Sequence, residues 1–172
     1  MILGFKQNFP WKEPTYFREK ILLPTKPHLL AYGEAESWYP KLHTMRLDPH
    51  NRWRAGMGIQ MVYRGPKYSI LDHFNKGIPE LETCVSVQRI KFEWYSYHTK
   101  DLPSFFGRTK SLTPNPGDFI TSRTLKISID GKEFGDHLLL ARNDGFDSLD
   151  DFYKWFNKDF TGKIIHWTDL RY

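Results

Sequence analysis

Cysteine is almost absent from this chain, with Cys84 the only one in 172 residues. No intramolecular disulfide can form and a multi-cysteine zinc site is excluded, so the sequence does not encode a small secreted domain held by staples. Long apolar runs are missing too. No stretch approaches the roughly 18 residues of a membrane span, and Met1-Ile2-Leu3-Gly4-Phe5-Lys6 lacks the basic start and apolar core of a signal peptide. The expectation is a cytoplasmic protein with no membrane partner. The strong catalytic signatures are also lacking: there is no Gly-x-Ser-x-Gly elbow, no P-loop, no His-Glu-x-x-His and no Gly-x-Gly-x-x-Gly. The seven histidines (28, 43, 50, 73, 98, 137 and 166) never fall at paired ligand spacing, so neither a metal nor another cofactor is expected.

What the chain does have is apolar content sufficient for a core: 40% hydrophobic and 16% aromatic residues against 26% charged. The length suits one domain spanning 1–172, with loop insertions expected near 23–40 and 97–118. A first helix is expected from Glu13-Pro14-Thr15 to Leu22, with Phe17 and Ile21 on one face. Ile59, Met61 and Tyr63 alternate in a strand leaving the Gly56/Gly58 turn, and residues 82–95 read as a long strand. In that strand Val85 and Val87 are in one phase and Ile90, Phe92 and Trp94 in the other, which predicts a bulge or bend near Gln88-Arg89. Leu125, Ile127 and Ile129 alternate ahead of Asp130-Gly131, a primed-turn hairpin signal. Leu149, Phe152, Tyr153 and Phe156 fall at helical spacing behind a Ser148/Asp151 capping box, and residues 163–172 read as a final strand. Few helices and several bent strands predict an α+β fold with a small barrel-like sheet.

The net charge of +5 is concentrated. Between Lys41 and Lys67 stand six basic residues (41, 46, 52, 54, 64 and 67) and one acid, Asp48, a local +5. Arg46, Arg52, Arg54 and Arg64, interleaved with Trp53 and Tyr63, have the chemistry to bind phosphate and stack a base. The same residues also suit a solvated face over ordinary core aromatics. A second candidate surface is the Phe105-Phe106-Gly107-Arg108 loop. If residues 41–46 are extended, Leu42, Thr44 and Arg46 share one face and Lys41, His43 and Met45 the other.

In pieces, the sequence resembles an ASCH domain, a barrel-like fold related to the PUA family of RNA-associated domains. Phe17-Arg18-Glu19-Lys20-Ile21-Leu22 resembles the family's first helix. Lys41-x-x-Thr44-x-Arg46 resembles its Lys-x-x-Thr-x-Arg core, and Arg54-Ala55-Gly56-Met57 the turn that follows. Asn143-Asp144-Gly145-Phe146-Asp147-Ser148 is similar to its Glu-Gly-Phe-x-Ser segment, with Asp144 where many members carry Glu. The resemblance implies an RNA or modified-nucleotide binding module. It implies as an alternative a small amidohydrolase of the acetylcytidine type, in which Lys41, Thr44 and Asp144 are catalytic. In that reading a desolvated Lys41 helps Thr44 or a water attack an amide carbonyl while Asp144 handles a proton. Against it stands a plainer assignment, with Lys41 charged on a phosphate, Thr44 bonded to backbone and Asp144 entering a helix. A non-catalytic adaptor is the remaining alternative.

Overall fold

The computed structural model describes residues 1–25, 38–64, 73–98 and 121–172. The expected insertions at 23–40 and 97–118, the Phe105–Arg108 loop and Lys67 lie wholly or largely outside the described residues. In chain order the elements are β1 (Ile2–Lys6), α1 (Phe17–Leu22), β2 (His43–Arg46), β3 (Gln60–Arg64), a 3-10 turn (Pro79–Leu81), β4 (Ser86–His98), β5 (Thr121–Ile129), β6 (Lys132–Glu133), α2 (His137–Asn143), α3 (Leu149–Trp155) and β7 (Phe160–His166). β1 and β3 form a parallel pair, and the other strands form an antiparallel sheet in the order β2-β7-β4-β5-β6. The fold is thus α+β, and the described strands make two sheets without closing into one barrel. No helix among the described residues is long and apolar enough to cross a membrane.

The final strand, β7, lies between β2 and β4, so its Ile164 and Ile165 are fully buried. The hairpin after β5 turns on Asp130 and Gly131 at φ 50° and 83°, the left-handed pair of a primed turn, but the returning strand is only two residues long. The expected phase switch in β4 does not occur. Its pairing with β7 is continuous from Ser86 to Phe92, and Ser86, Gln88, Ile90 and Phe92 all face inward while Val85 is exposed. A polar residue is tolerated inside because Gln88 is satisfied, donating to Asp130 Oδ2 (3.0 Å) and to the Tyr172 carbonyl (2.9 Å) and accepting from Tyr172 N–H (3.0 Å).

Two elements escape the periodicity reading. β1 is short, and it buries Leu3 and Phe5 beside β3. α2 opens on Asp136, whose carboxylate accepts from Leu139 N–H (2.9 Å), and ends in a Schellman motif: Phe146 N–H bonds the Ala141 carbonyl (2.9 Å) and Gly145 N–H the Arg142 carbonyl (2.8 Å). Gly145 takes φ +85° there. α3 starts as expected, with Ser148 Oγ accepting from Asp151 N–H.

Candidate functional site

The Schellman turn at the end of α2 leaves three consecutive carbonyls without helical partners, and residues of α1 and of the stretch just ahead of β2 supply the donors. Leu42 N–H bonds the Asn143 carbonyl (2.8 Å), Lys41 Nζ donates to the Asp144 carbonyl, and Lys20 Nζ donates to the Gly145 carbonyl (2.9 Å). Cations at a helix C-terminus also meet the negative end of its dipole. Lys41 Nζ further donates to Asp144 Oδ1 at 2.8 Å, and Lys20 Nζ to both Asp147 carboxylate oxygens at 2.7 and 2.8 Å. A Cβ on Gly145 would stand 3.1 Å from Lys41 Cβ and Cδ, so glycine is required both for its left-handed backbone and for the passage of the lysine stem.

Lys41 is 1% exposed and its ammonium lies 4.4 Å from the Phe17 ring centroid. Burial pulls its pKa down to about 8 against the attraction of Asp144, and the nearby Arg46 and Lys20 charges lower it further. Burial acts to raise the Asp144 carboxyl, but the charge and hydrogen bond of Lys41 outweigh it and hold the group below the usual carboxylate range. The plainer assignment of Asp144 to a helix entry is therefore incorrect: it ends α2 and its carboxylate is committed to Lys41. Although Asp is one methylene shorter than Glu, the tight turn brings the backbone close enough for contact.

Lys41 and Asp144 share a pocket of about 130 Å³ with Thr44 and Arg46, walled by the rings of Phe5, Phe17, Phe146 and Trp155. Thr44 lies on it together with Lys41, contrary to the strict alternation, because β2 begins only at His43 and Lys41 lies ahead of the pleat. The pocket is smaller than the roughly 300 Å³ at which drug-sized sites begin, so it suits a small acyl group or one edge of a planar ring. Arg46 donates to the Gly4 carbonyl (2.9 Å) and lies 5.2 Å from the Phe5 ring, joining β2 to β1.

The expected nucleic-acid face divides. Arg52 and Arg54 are exposed on the loop after β2. Trp53 between them is only 5% exposed and belongs to the core, which removes it as a stacking platform. Asp48 turns it inward, accepting from the Arg52 and Trp53 N–H groups at 2.9 Å each and pairing with Lys163 at 3.2 Å. Tyr63 is half-buried and donates to Glu19 (3.0 Å), and Arg64 closes β3 opposite Lys6.

Sequence reasoning missed the layer behind Asp144. His43 Nδ1 stands 3.5 Å from Asp144 Oδ1 without a formed hydrogen bond, and its Nε2 is 2.7 Å from Tyr172 Oη, which also accepts from Asn143 Nδ2 (3.0 Å). The His166 ring is 5.3 Å from that of His43, and burial pushes its pKa down to about 3. No local signal announces this group, since His43 and Tyr172 are 129 positions apart. Among the described residues no cluster of histidine, cysteine and carboxylate side chains forms a metal site. No protein-family model matches the chain, and neither a curated protein nor a solved structure is significantly similar to it.

Proposed function

We propose that this protein is a small amidohydrolase that removes an acyl group from the exocyclic amine of a cytidine-like nucleoside, with Lys41 and Thr44 as its catalytic residues and Asp144 as the residue that positions Lys41. The supporting observation is the buried Lys41–Asp144 contact of 2.8 Å in a pocket shared with Thr44. With its pKa lowered to about 8, Lys41 reaches its neutral form near neutral pH and can serve as a base. The neutral amine accepts the Thr44 hydroxyl proton as that oxygen adds to the acyl carbonyl. Arg46 faces the developing oxyanion. Collapse breaks the C–N bond, and the Lys41 ammonium returns the proton to the departing amine. Water then cleaves the threonyl ester, releasing the carboxylic acid, while Asp144 holds Lys41 in place throughout. The aromatic walls suit a planar base. The resemblance to an ASCH domain, with its barrel, belongs to this proposal.

The test is turnover of N4-acetylcytidine by the purified chain, with free cytidine and acetate as products. Lys41→Ala and Asp144→Ala should each lower kcat/KM by about a thousandfold or more, the scale of losing a base that activates a nucleophile. Full activity in either variant, or none in the native chain, refutes the proposal and leaves the pair a structural staple.

Exposed Arg52 and Arg54 favour a second reading, an RNA or nucleotide-binding module. Four neutralised phosphates on single-stranded RNA would give a logarithmic salt slope of about −3. A flat salt response, or unchanged affinity in the Arg52→Glu/Arg54→Glu variant, rejects that surface.

A further inference from the structure

The side chains behind Asp144 fix a tautomer. Tyr172 Oη accepts the hydrogen bond from Asn143 Nδ2 and lies 2.7 Å from His43 Nε2, and the Asp144 carboxylate across the ring disfavours a bare lone pair on Nδ1, so the arrangement fits Tyr172 donating to Nε2. A neutral imidazole accepting at Nε2 carries its proton on Nδ1. His43 is fully buried, and burial together with the Lys41 charge keeps it neutral despite the opposing pull of Asp144. Nδ1 has no hydrogen-bond partner, and Asp144 Oδ1 stands 3.5 Å away. The titratable groups facing this ring are Asp144, Lys41, Tyr172 and His166 from the adjacent strand β7, and His166 brings no charge of its own near neutral pH.

We propose that Asn143 and Tyr172 lock His43 as the Nδ1–H tautomer and that this N–H, poised against the oxygen Lys41 holds, makes His43 the positioning residue for the Asp144 carboxylate. This rests on the reading of Lys41 and Asp144 as a working pair. While Lys41 is charged, the carboxylate sits 2.8 Å from its ammonium and 3.5 Å from the imidazole. When Lys41 is neutral, the carboxylate has lost its cation, and the Nδ1–H closes the gap and keeps it anionic and in place. No second charge enters the buried site.

The experiment uses the full chain labelled with 15N-histidine and 13C-lysine. His43 should show a pyrrole-like Nδ1 and a pyridine-like Nε2 from pH 6 to 9, and an Nε2–H tautomer or a charged ring in that window overturns the proposal. The coupling is read from the Lys41 13Cε titration. Without the imidazole donor, Asp144 binds the Lys41 proton more strongly, so His43→Leu should move that titration up by about half to one unit, and Tyr172→Phe, which keeps the imidazole but removes the hydroxyl bonded to Nε2, should move it the same way by less. His43→Asn, which places an amide N–H near the Nδ1 position, should restore it. A titration unmoved in His43→Leu, or moved equally by His43→Asn, also overturns it. Absent turnover on the acylated nucleoside defeats only the hydrolase reading, since both spectra are read without substrate.

Discussion

Two lysine–aspartate pairs flank Gly145, built from the same residue types on the same turn. Both ammonium groups are buried, each side chain being 1% exposed, and the Lys41 backbone N–H bonds the Lys20 carbonyl at 3.0 Å. The anions differ. Asp147 is 55% exposed and Asp144 5%. Lys20 spends its three donors on both Asp147 oxygens and the Gly145 carbonyl while its partner keeps its water. Around Lys41 both charges have lost water and attraction offsets only part of the cost, which is why burial dominates its titration. Hydration of the anion, more than the identity of the pair, separates a staple from a group poised to exchange a proton.

Breaking the buried pair gives the largest effect. Lys41→Met should destabilise by about 3–5 kcal/mol, because Asp144 is left as an uncompensated buried charge. Adding Asp144→Leu should recover more than half of that loss, measured from denaturant midpoints. A double variant no better than the single one would show that charge burial is not the cause. The pH dependence follows with its sign. The unfolded lysine keeps its proton up to its ordinary value of 10.5 and the folded one only to about 8, so in that window the unfolded chain holds more protons and stability rises with pH. The rise totals about 3 kcal/mol. Urea titrations between pH 7 and 11 should give the native chain this rise relative to Lys41→Met, in which only the opposing titration of groups such as half-buried Tyr63 and Tyr172 is left, and the same pH dependence in both chains would contradict the lowered value.

The contrast between the pairs was only half legible in the sequence. Lys41, Thr44 and Asp144 stand in motif-like segments and could be named without coordinates. Lys20 is as deeply buried, yet its surroundings Arg18-Glu19-Lys20 read as the polar side of a helix, and only the distant Gly145 carbonyl explains its burial. α2 was invisible because Leu138-Leu139-Leu140 has no period, and Leu138 and Leu139 are indeed largely exposed. Its stop signal, Gly145 after Asn143-Asp144, is local, but without a periodic run ahead of it that signal marks no helix, and Asp144 reads instead as a helix entry. The β4 phase is masked in the sequence because the polar Ser86 and Gln88 face inward, and the partner that makes Gln88 tolerable lies 84 residues away.

Gly145→Ala strains both pairs through the backbone. Alanine at φ +85° costs about 1–2 kcal/mol by conformation alone, and its Cβ at 3.1 Å from the Lys41 stem adds crowding. The expected loss is about 2–3 kcal/mol. Displacement of the Lys41 amine should lower turnover along with stability. Normal turnover at a lowered midpoint would mean that the lysine adapts and that the turn serves stability only.

The smallest effect belongs to the hydrated pair and sharpens the comparison most. Lys20→Met should cost about 1–2 kcal/mol, since the Gly145 carbonyl loses a hydrogen bond while Asp147 is hydrated by surrounding water. Removing its positive charge also removes one of the influences that lower the Lys41 pKa, so Lys41 should titrate higher and the acidic limb of the rate profile should move upward. Asp147→Asn leaves the Lys20 charge in place and should leave that limb where it is. If instead Asp147→Asn moved the limb as far as Lys20→Met, the turn itself would be transmitting strain to Lys41. The two pairs would then be mechanically coupled, and the distinction between a staple and a reactive group would fail at Gly145.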